Sequence, residues 1–108
     1  MSFRRKPESI TMSYFVYILA SKRNGTLYTG MTSNLARRIA EHREHMLKGF
    51  TDKYNVTMLV HVEIYDYFEA AMLREKRIKT WKRDWKLKLI EESNPDWKDL
   101  AEEVMLFL

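Results

Sequence analysis

Cysteine is absent from the chain. Its absence removes disulfides, thiolate metal sites and a thiol nucleophile in one step, and it fits a reducing cytosol. Long apolar runs are missing too: the longest, YFVYILA at 14–20, is far too short to cross a bilayer. The segment MSFRRKPESITM carries Arg4, Arg5 and Lys6, but no apolar stretch of signal-peptide length follows before the polar SKRNG. Nor does a repeat, a low-complexity tract or a Pro/Ser-rich linker divide the rest. These absences predict a soluble cytoplasmic protein that does not engage membranes, with a loose basic segment at 1–12 and one domain at 13–108. A chain of 108 residues is long enough to bury about 65 % of its unfolded surface without staples.

Charge is plentiful and unevenly spread. The net charge is +4, yet residues 74–88 hold eight Lys or Arg against Glu75 and Asp84, whereas residues 91–108 hold six acids against Lys98. A polyanion is the natural partner of the first stretch, and a solvated helix face is its plain alternative.

Tyr14, Phe15, Val16, Tyr17, Ile18 and Leu19 form a short block of β-formers that ends at SKRNG, where Asn24-Gly25 supplies a turn. Thr26 to Thr29 predicts a second strand, antiparallel to the first. An even number of loop residues would set Tyr17 and Tyr28 on one face of this hairpin, and an odd number would separate them. Gly30 reads as the end of the strand, a structural turn into a helix capped by Thr32, Ser33 or Asn34 and running from about Leu35 to Leu47. A loop, KGFTDKYN, leads to a third strand, Met58–Tyr65. There Met58, Val60, Val62 and Ile64 alternate against Leu59, His61, Glu63 and Tyr65, and the mixed second face predicts partial exposure.

Three helical patterns follow. The first runs from Phe68 to about Trp81, and Asp84 caps a second that carries Trp85, Leu87, Leu89 and Ile90. Asn94-Pro95 opens a third, whose face of Trp97, Leu100, Ala101, Val104, Met105 and Leu108 is suited to cover a core. The expected class is α/β (α+β): a small three-stranded antiparallel sheet made of a β-hairpin, a helix and a third strand, flanked by helices, with additional C-terminal helices.

Three polar side chains fall where carbon is expected. Arg38 and His42 sit in the stripe of Leu35, Ile39 and Met46, and Glu75 falls among Phe68, Ala71, Met72 and Ile78. Each has an ordinary reading: a snorkelling arginine, a satisfied helix histidine, an ion-pair partner for Lys79. Tyr17 and Tyr28 read equally well as core or rim. A guanidinium and an imidazole beside an apolar stripe are nevertheless costly unless something polar meets them.

Taken together these residues resemble the GIY-YIG nuclease superfamily. Phe15-Val16-Tyr17 stands at the first signature and Tyr28-Thr29-Gly30 at the second. Arg38 lies eight residues past Gly30 with His42 one turn later, and Glu75 closes EAAMLRE on the second helix. The nearest likeness is to small stand-alone members similar to the UvrC N-terminal domain, echoed by VYIL, TSNLARRIAEH, FTDKY, REKRIKTWKR and NPDW, over about residues 14–100. Two positions depart from the pattern: Phe15 replaces the first glycine, and Thr29 stands where isoleucine is usual.

The resemblance implies an endonuclease that hydrolyses phosphodiester bonds in DNA, in repair or recombination, with RNA left open. By the same likeness Tyr17 activates the water as phenolate or relay, and Tyr28 hydrogen-bonds the scissile phosphate or its water. Arg38 clamps a phosphate oxygen, His42 orients Tyr17 or the water or takes a proton, and Glu75 binds the metal. Asn94 stands for the family's late asparagine, although a cap role before Pro95 explains it equally well. One carboxylate, completed by waters and phosphate, suits Mg²⁺ or Mn²⁺ better than zinc. A phenol titrates near about 10, so a phenolate needs positive charge beside it.

Arg37, Lys76, Arg77, Lys79, Lys82 and Arg83 are expected to bind backbone phosphate with little base preference, and Trp81 and Trp85 are either core or stacking platforms. The chain has no room for a separate recognition domain, so specificity is expected from nucleic-acid shape, a partner protein or self-association. The alternatives are a non-cleaving nucleic-acid-binding module of the same fold and a structural, partner-binding domain.

Overall fold

Seven residues, Tyr14–Ala20, form β1. Nearly all of them are apolar, rather than every second one, so the strand can be covered on both sides. It takes the centre of a three-stranded sheet of order β2-β1-β3, with β2 at Leu27–Thr32 and β3 at Met58–Tyr65, both antiparallel to β1. The computed structural model describes residues 13–44 and 49–106, without the side chains of residues 50 and 52. The basic segment 1–12 and three residues assigned above to apolar faces or helix ends, Met46, Leu47 and Leu108, lie outside that range.

Ala20 pairs with Leu27, which leaves an even loop at 21–26 and puts Tyr17 and Tyr28 on one face. Asn24 makes the turn with φ 56°. Arg83 of a later helix ties the loop down by donating to the carbonyls of Asn24 and Gly25 at 2.7 and 2.6 Å.

Five helices complete the described residues: α1 Leu35–Arg43, α2 Phe50–Tyr54, α3 Phe68–Thr80, α4 Arg83–Ser93 and α5 Ala101–Met105. Leu35 and Ile39 of α1, with Ala101 and Val104 of α5, pack with Phe15, Tyr17 and Leu19 on one face of the sheet. Ala71 and Ile78 of α3, with Ile90 of α4, pack with Val16, Ile18 and Ala20 on the other. Among the described residues no helix is long and apolar enough to cross a membrane.

Several local expectations give way. Gly30 does not end the strand: β2 runs on to Thr32, and Gly30 lies opposite Tyr17 in the ladder. Of the three candidates Asn34 caps α1, accepting from the Arg37 amide at 3.1 Å. That helix stops at Arg43, short of Leu47, where Arg43 reaches across to Asp99 near the C-terminal end. The segment KGFTDKYN contains the one-turn helix α2, too short for any periodicity to reveal.

The alternation in β3 is broken by a bulge. Leu19 pairs with Leu59 but Ile18 with His61, so Val60 is an extra residue and the two halves of the strand change faces around it. Leu59 and Val62 therefore share the α1 side, and Val60 turns to the α3 side. The face expected to be partly exposed holds His61 and Glu63, each 7 % exposed.

At α4 the cap is Lys82, and Asp84 lies in the first turn. Asn94 ends α4 instead of opening a helix. Its Nδ2 donates to the Val60 and Lys98 carbonyls at 3.2 and 2.9 Å while Oδ1 accepts from the Lys98 amide at 3.0 Å. Those side-chain bonds satisfy the Lys98 amide and carbonyl without helix, and α5 begins only at Ala101.

Candidate active site

The ladder places Gly30 under the Tyr17 ring. A Cβ at position 30 would stand 2.5 Å from Tyr17 Oη, 2.6 Å from its Cζ and 3.0 Å from Cε2 of Tyr28. The role of this glycine is therefore to leave space for two aromatic rings, and the structural turn assigned to it above is corrected.

From the opposite side α1 brings His42, 3 % exposed, onto the same rings. Tyr17 Oη and His42 Nε2 are 3.2 Å apart, and His42 Nδ1 lies 2.9 Å from Thr51 Oγ1 on α2. Ring centroids separate Tyr17 and Tyr28 by 6.4 Å, Tyr17 and His42 by 6.0 Å, and Tyr28 and His42 by 5.5 Å. The expensive imidazole is thus met by a phenol and a hydroxyl. Thr51 was not among the candidates, because a polar residue in a one-turn helix has no pattern to distinguish it; its place inside FTDKY is the only signal.

Three charges act on this cluster, Arg38 and Glu41 of α1 and Glu75 of α3, and all contribute to the electrostatics of the Tyr17 phenol. Burial comes first there and raises the phenol well above its ordinary value, Tyr28 adds to the rise, and Arg38 opposes it. Burial also lowers His42, with Arg38 acting in the same sense and Glu41 against it. Phenol and imidazole are consequently both neutral near pH 7. Of the two forms allowed to Tyr17, the phenolate is disfavoured.

Arg38 does not stand buried in the stripe. Its side chain is 39 % exposed, and its Nε lies 3.2 Å from Glu41, which also pairs with Arg37 at 3.4 Å. Glu75 is 19 % exposed and pairs with Lys79 at 3.4 Å, the i,i+4 arrangement that sequence alone allows. Asn94 is committed to the backbone of β3 and the 94–98 loop rather than to the Tyr17–His42 group. Among the basic residues, Arg83 is occupied at the hairpin loop. Lys76, Arg77 and Lys82 are exposed, with no carboxylate in ion-pair range among the described residues.

The donor set suits a hard, oxygen-loving cation. No group of three or more His, Cys, Asp or Glu gathers among the described residues. A Mg²⁺-type ion commonly rests on one or two carboxylates with waters and substrate phosphate, and Glu75 offers one such carboxylate.

Comparison with known proteins gives one consistent answer. The GIY-YIG catalytic domain model matches residues 13–88, a span that includes both tyrosines, Arg38, His42, Thr51 and Glu75 but not Asn94. A UPF0213 protein of Staphylococcus haemolyticus is 42 % identical over 79 residues, covering 73 % of this chain and 95 % of its own. One from Natronomonas pharaonis is 40 % identical over 79 residues, covering 73 % and 92 %. The solution NMR structure of a UPF0213 protein from Bacillus halodurans superposes with a TM-score of 0.53 at 27 % identity, over 84 % of this chain and 96 % of that one.

Proposed function

Because the chain belongs to the GIY-YIG catalytic domain family, a nuclease family, we propose that it is a metal-dependent endonuclease hydrolysing phosphodiester bonds in DNA. Repair or recombination is the setting we assign, and the lack of cysteine fits a cytoplasmic location. The observation that carries this reading is the buried Tyr17–His42 contact at 3.2 Å, with the Tyr28 ring against both. Such convergence of titratable groups is a mark of a reacting site.

The proton path follows from the two neutral side chains. An attacking water gives its proton to Tyr17 Oη while the phenol passes its own to His42 Nε2, so no free phenolate forms. That direction requires His42 to carry its hydrogen on Nδ1, where Thr51 Oγ1 accepts it. Arg38 exchanges Glu41 for a non-bridging phosphate oxygen, which its fork matches better than lysine would, and Tyr28 orients the phosphate. Glu75, released from Lys79, would hold Mg²⁺ or Mn²⁺. The ion when bound supplies Lewis-acid stabilisation of the phosphoryl oxygen and the leaving alkoxide. Lys76, Arg77 and Lys82, joined by Arg37, Lys79 and Arg83, meet the flanking phosphates. Specificity rests on DNA shape, a partner protein or a second copy of the chain.

Thr51→Val is expected to leave Nδ1–H without an acceptor, switch the His42 tautomer and slow cleavage about tenfold. Thr51→Ser should restore both. Nitrogen NMR of the imidazole reads the tautomer and steady-state kinetics the rate; a native tautomer in the valine variant contradicts the path. The rate should also fall on acidification as His42 protonates, with a midpoint below the ordinary imidazole value, because burial lowers that group.

A second reading, a nucleic-acid-binding module that does not cut, draws on the ion pairs that already satisfy Arg38 and Glu75. Incubating the protein with nicked, branched and flapped DNA in Mg²⁺ or Mn²⁺ separates the two. Metal-dependent product is expected, lost with a chelator and reduced at least about tenfold in Glu75→Ala and Arg38→Ala. Unchanged cleavage in either variant overturns the residue assignments, and binding without product on every substrate favours the module.

A further inference from the structure

On the other face of the sheet, α3 and α4 enclose a groove of about 470 Å³ lined by Arg74, Trp81, Trp85, Lys88, Leu89 and Glu92. Its walls are held from below. Glu63, buried in β3, takes both Nε and Nη2 of Arg74 at 2.9 and 3.0 Å, and the guanidinium so fixed lies over the Trp81 ring at 5.1 Å. Trp81 in turn meets Trp85 edge-on, with centroids 5.8 Å apart. Trp85 remains 59 % exposed. A buried carboxylate therefore braces one indole, and that indole braces a second that is left facing water.

We propose that this groove is a stacking subsite for one unpaired nucleobase of single-stranded DNA, with Trp85 as the platform and Lys88 beside the adjoining phosphate. The inference rests on the nucleic-acid reading above and adds where and how an unpaired base is taken. Charge selects the occupant: Lys76, Arg77, Lys82 and Lys88 are exposed on α3, α4 and their junction, which favours a polyanion. An indole face selects an unpaired base, since a duplex hides its base faces in its own stack. Glu92, the one carboxylate lining the groove, is an acceptor for a base N–H.

The test compares a short oligothymidylate with an abasic oligonucleotide of equal length and charge, reading intrinsic tryptophan fluorescence and affinity at fixed salt. The thymidylate is expected to quench emission and bind about tenfold more tightly than the abasic strand, as base–aromatic stacking requires. Trp85→Ala should abolish both differences, and Trp85→Phe should keep part of the affinity difference; since the side chain is exposed, both variants are expected to fold. Equal binding of the two strands by the native protein, or an undiminished difference in Trp85→Ala, overturns the subsite. Failure to bind either strand also overturns it, while the nuclease reading stands or falls separately on the cleavage of duplex substrates.

Discussion

Gly30→Ala is expected to cost about 1–3 kcal/mol of stability by overpacking and to lower DNA cleavage about 100-fold. The added methyl has nowhere to go. Its carbon would lie 2.5 Å from Tyr17 Oη and 2.6 Å from Cζ, so the phenol must retreat by about 1 Å, a displacement of the size that costs about 100-fold in a positioned reaction. Retreat also breaks the 3.2 Å contact with His42. Urea unfolding and cleavage assays read the two effects. A double-mutant cycle sharpens the result: in a Tyr17→Leu background both of the nearest atoms, Oη and Cζ, are gone, and the stability cost of alanine should shrink. An equal cost in both backgrounds would falsify the placement of the phenol over this glycine.

Removing Glu63 is expected to be the most damaging change to the fold outside the apolar core. Its carboxylate receives Tyr65 Oη at 2.7 Å, His61 Nε2 at 2.7 Å and two bonds from Arg74. Glu63→Ala strands all three partners around a half-buried guanidinium, at a cost of about 3–5 kcal/mol. That is a large part of the stability of a domain this size. Burial alone would raise the Glu63 carboxyl, but hydrogen bonds from His61, Arg74 and Tyr65 outweigh it and hold the group at about 2. A carboxyl depressed in the folded state stabilises fully above its unfolded value and loses that contribution as pH falls toward the folded one. The advantage of the native protein over Glu63→Gln should therefore be constant above about 4.5 and shrink between about 4.5 and about 2. Urea denaturation at a series of pH values checks this, and an advantage independent of pH would contradict the charged network.

Much of this is legible in the sequence. β1, β3 and α3 follow from blocks and stripes of apolar residues, which are properties of neighbours along the chain. The sharing of a face by Tyr17 and Tyr28 needed only the parity of the hairpin loop. Glu63 shows where such reading ends: one glutamate among alternating residues of a strand carries no sign of an arginine eleven positions on that will neutralise it. The bulge at Val60 and the short helix holding Thr51 are invisible for a related reason, since a single inserted residue or a single turn is shorter than any period.

The sequence by itself determined the three strands, the longer helices and their order, and set Arg38, His42 and Glu75 apart as unusual polar residues, because spacing along a strand or helix dictates which side chains share a face. Only the tertiary structure decided which of them meet. It set Thr51 against His42, Glu63 beneath Arg74 and Gly30 under Tyr17, and it gave Asn94 to the backbone. Those choices depend on register, bulges and packing between segments distant in the chain, where a hydrogen bond forms or fails over a few tenths of an ångström.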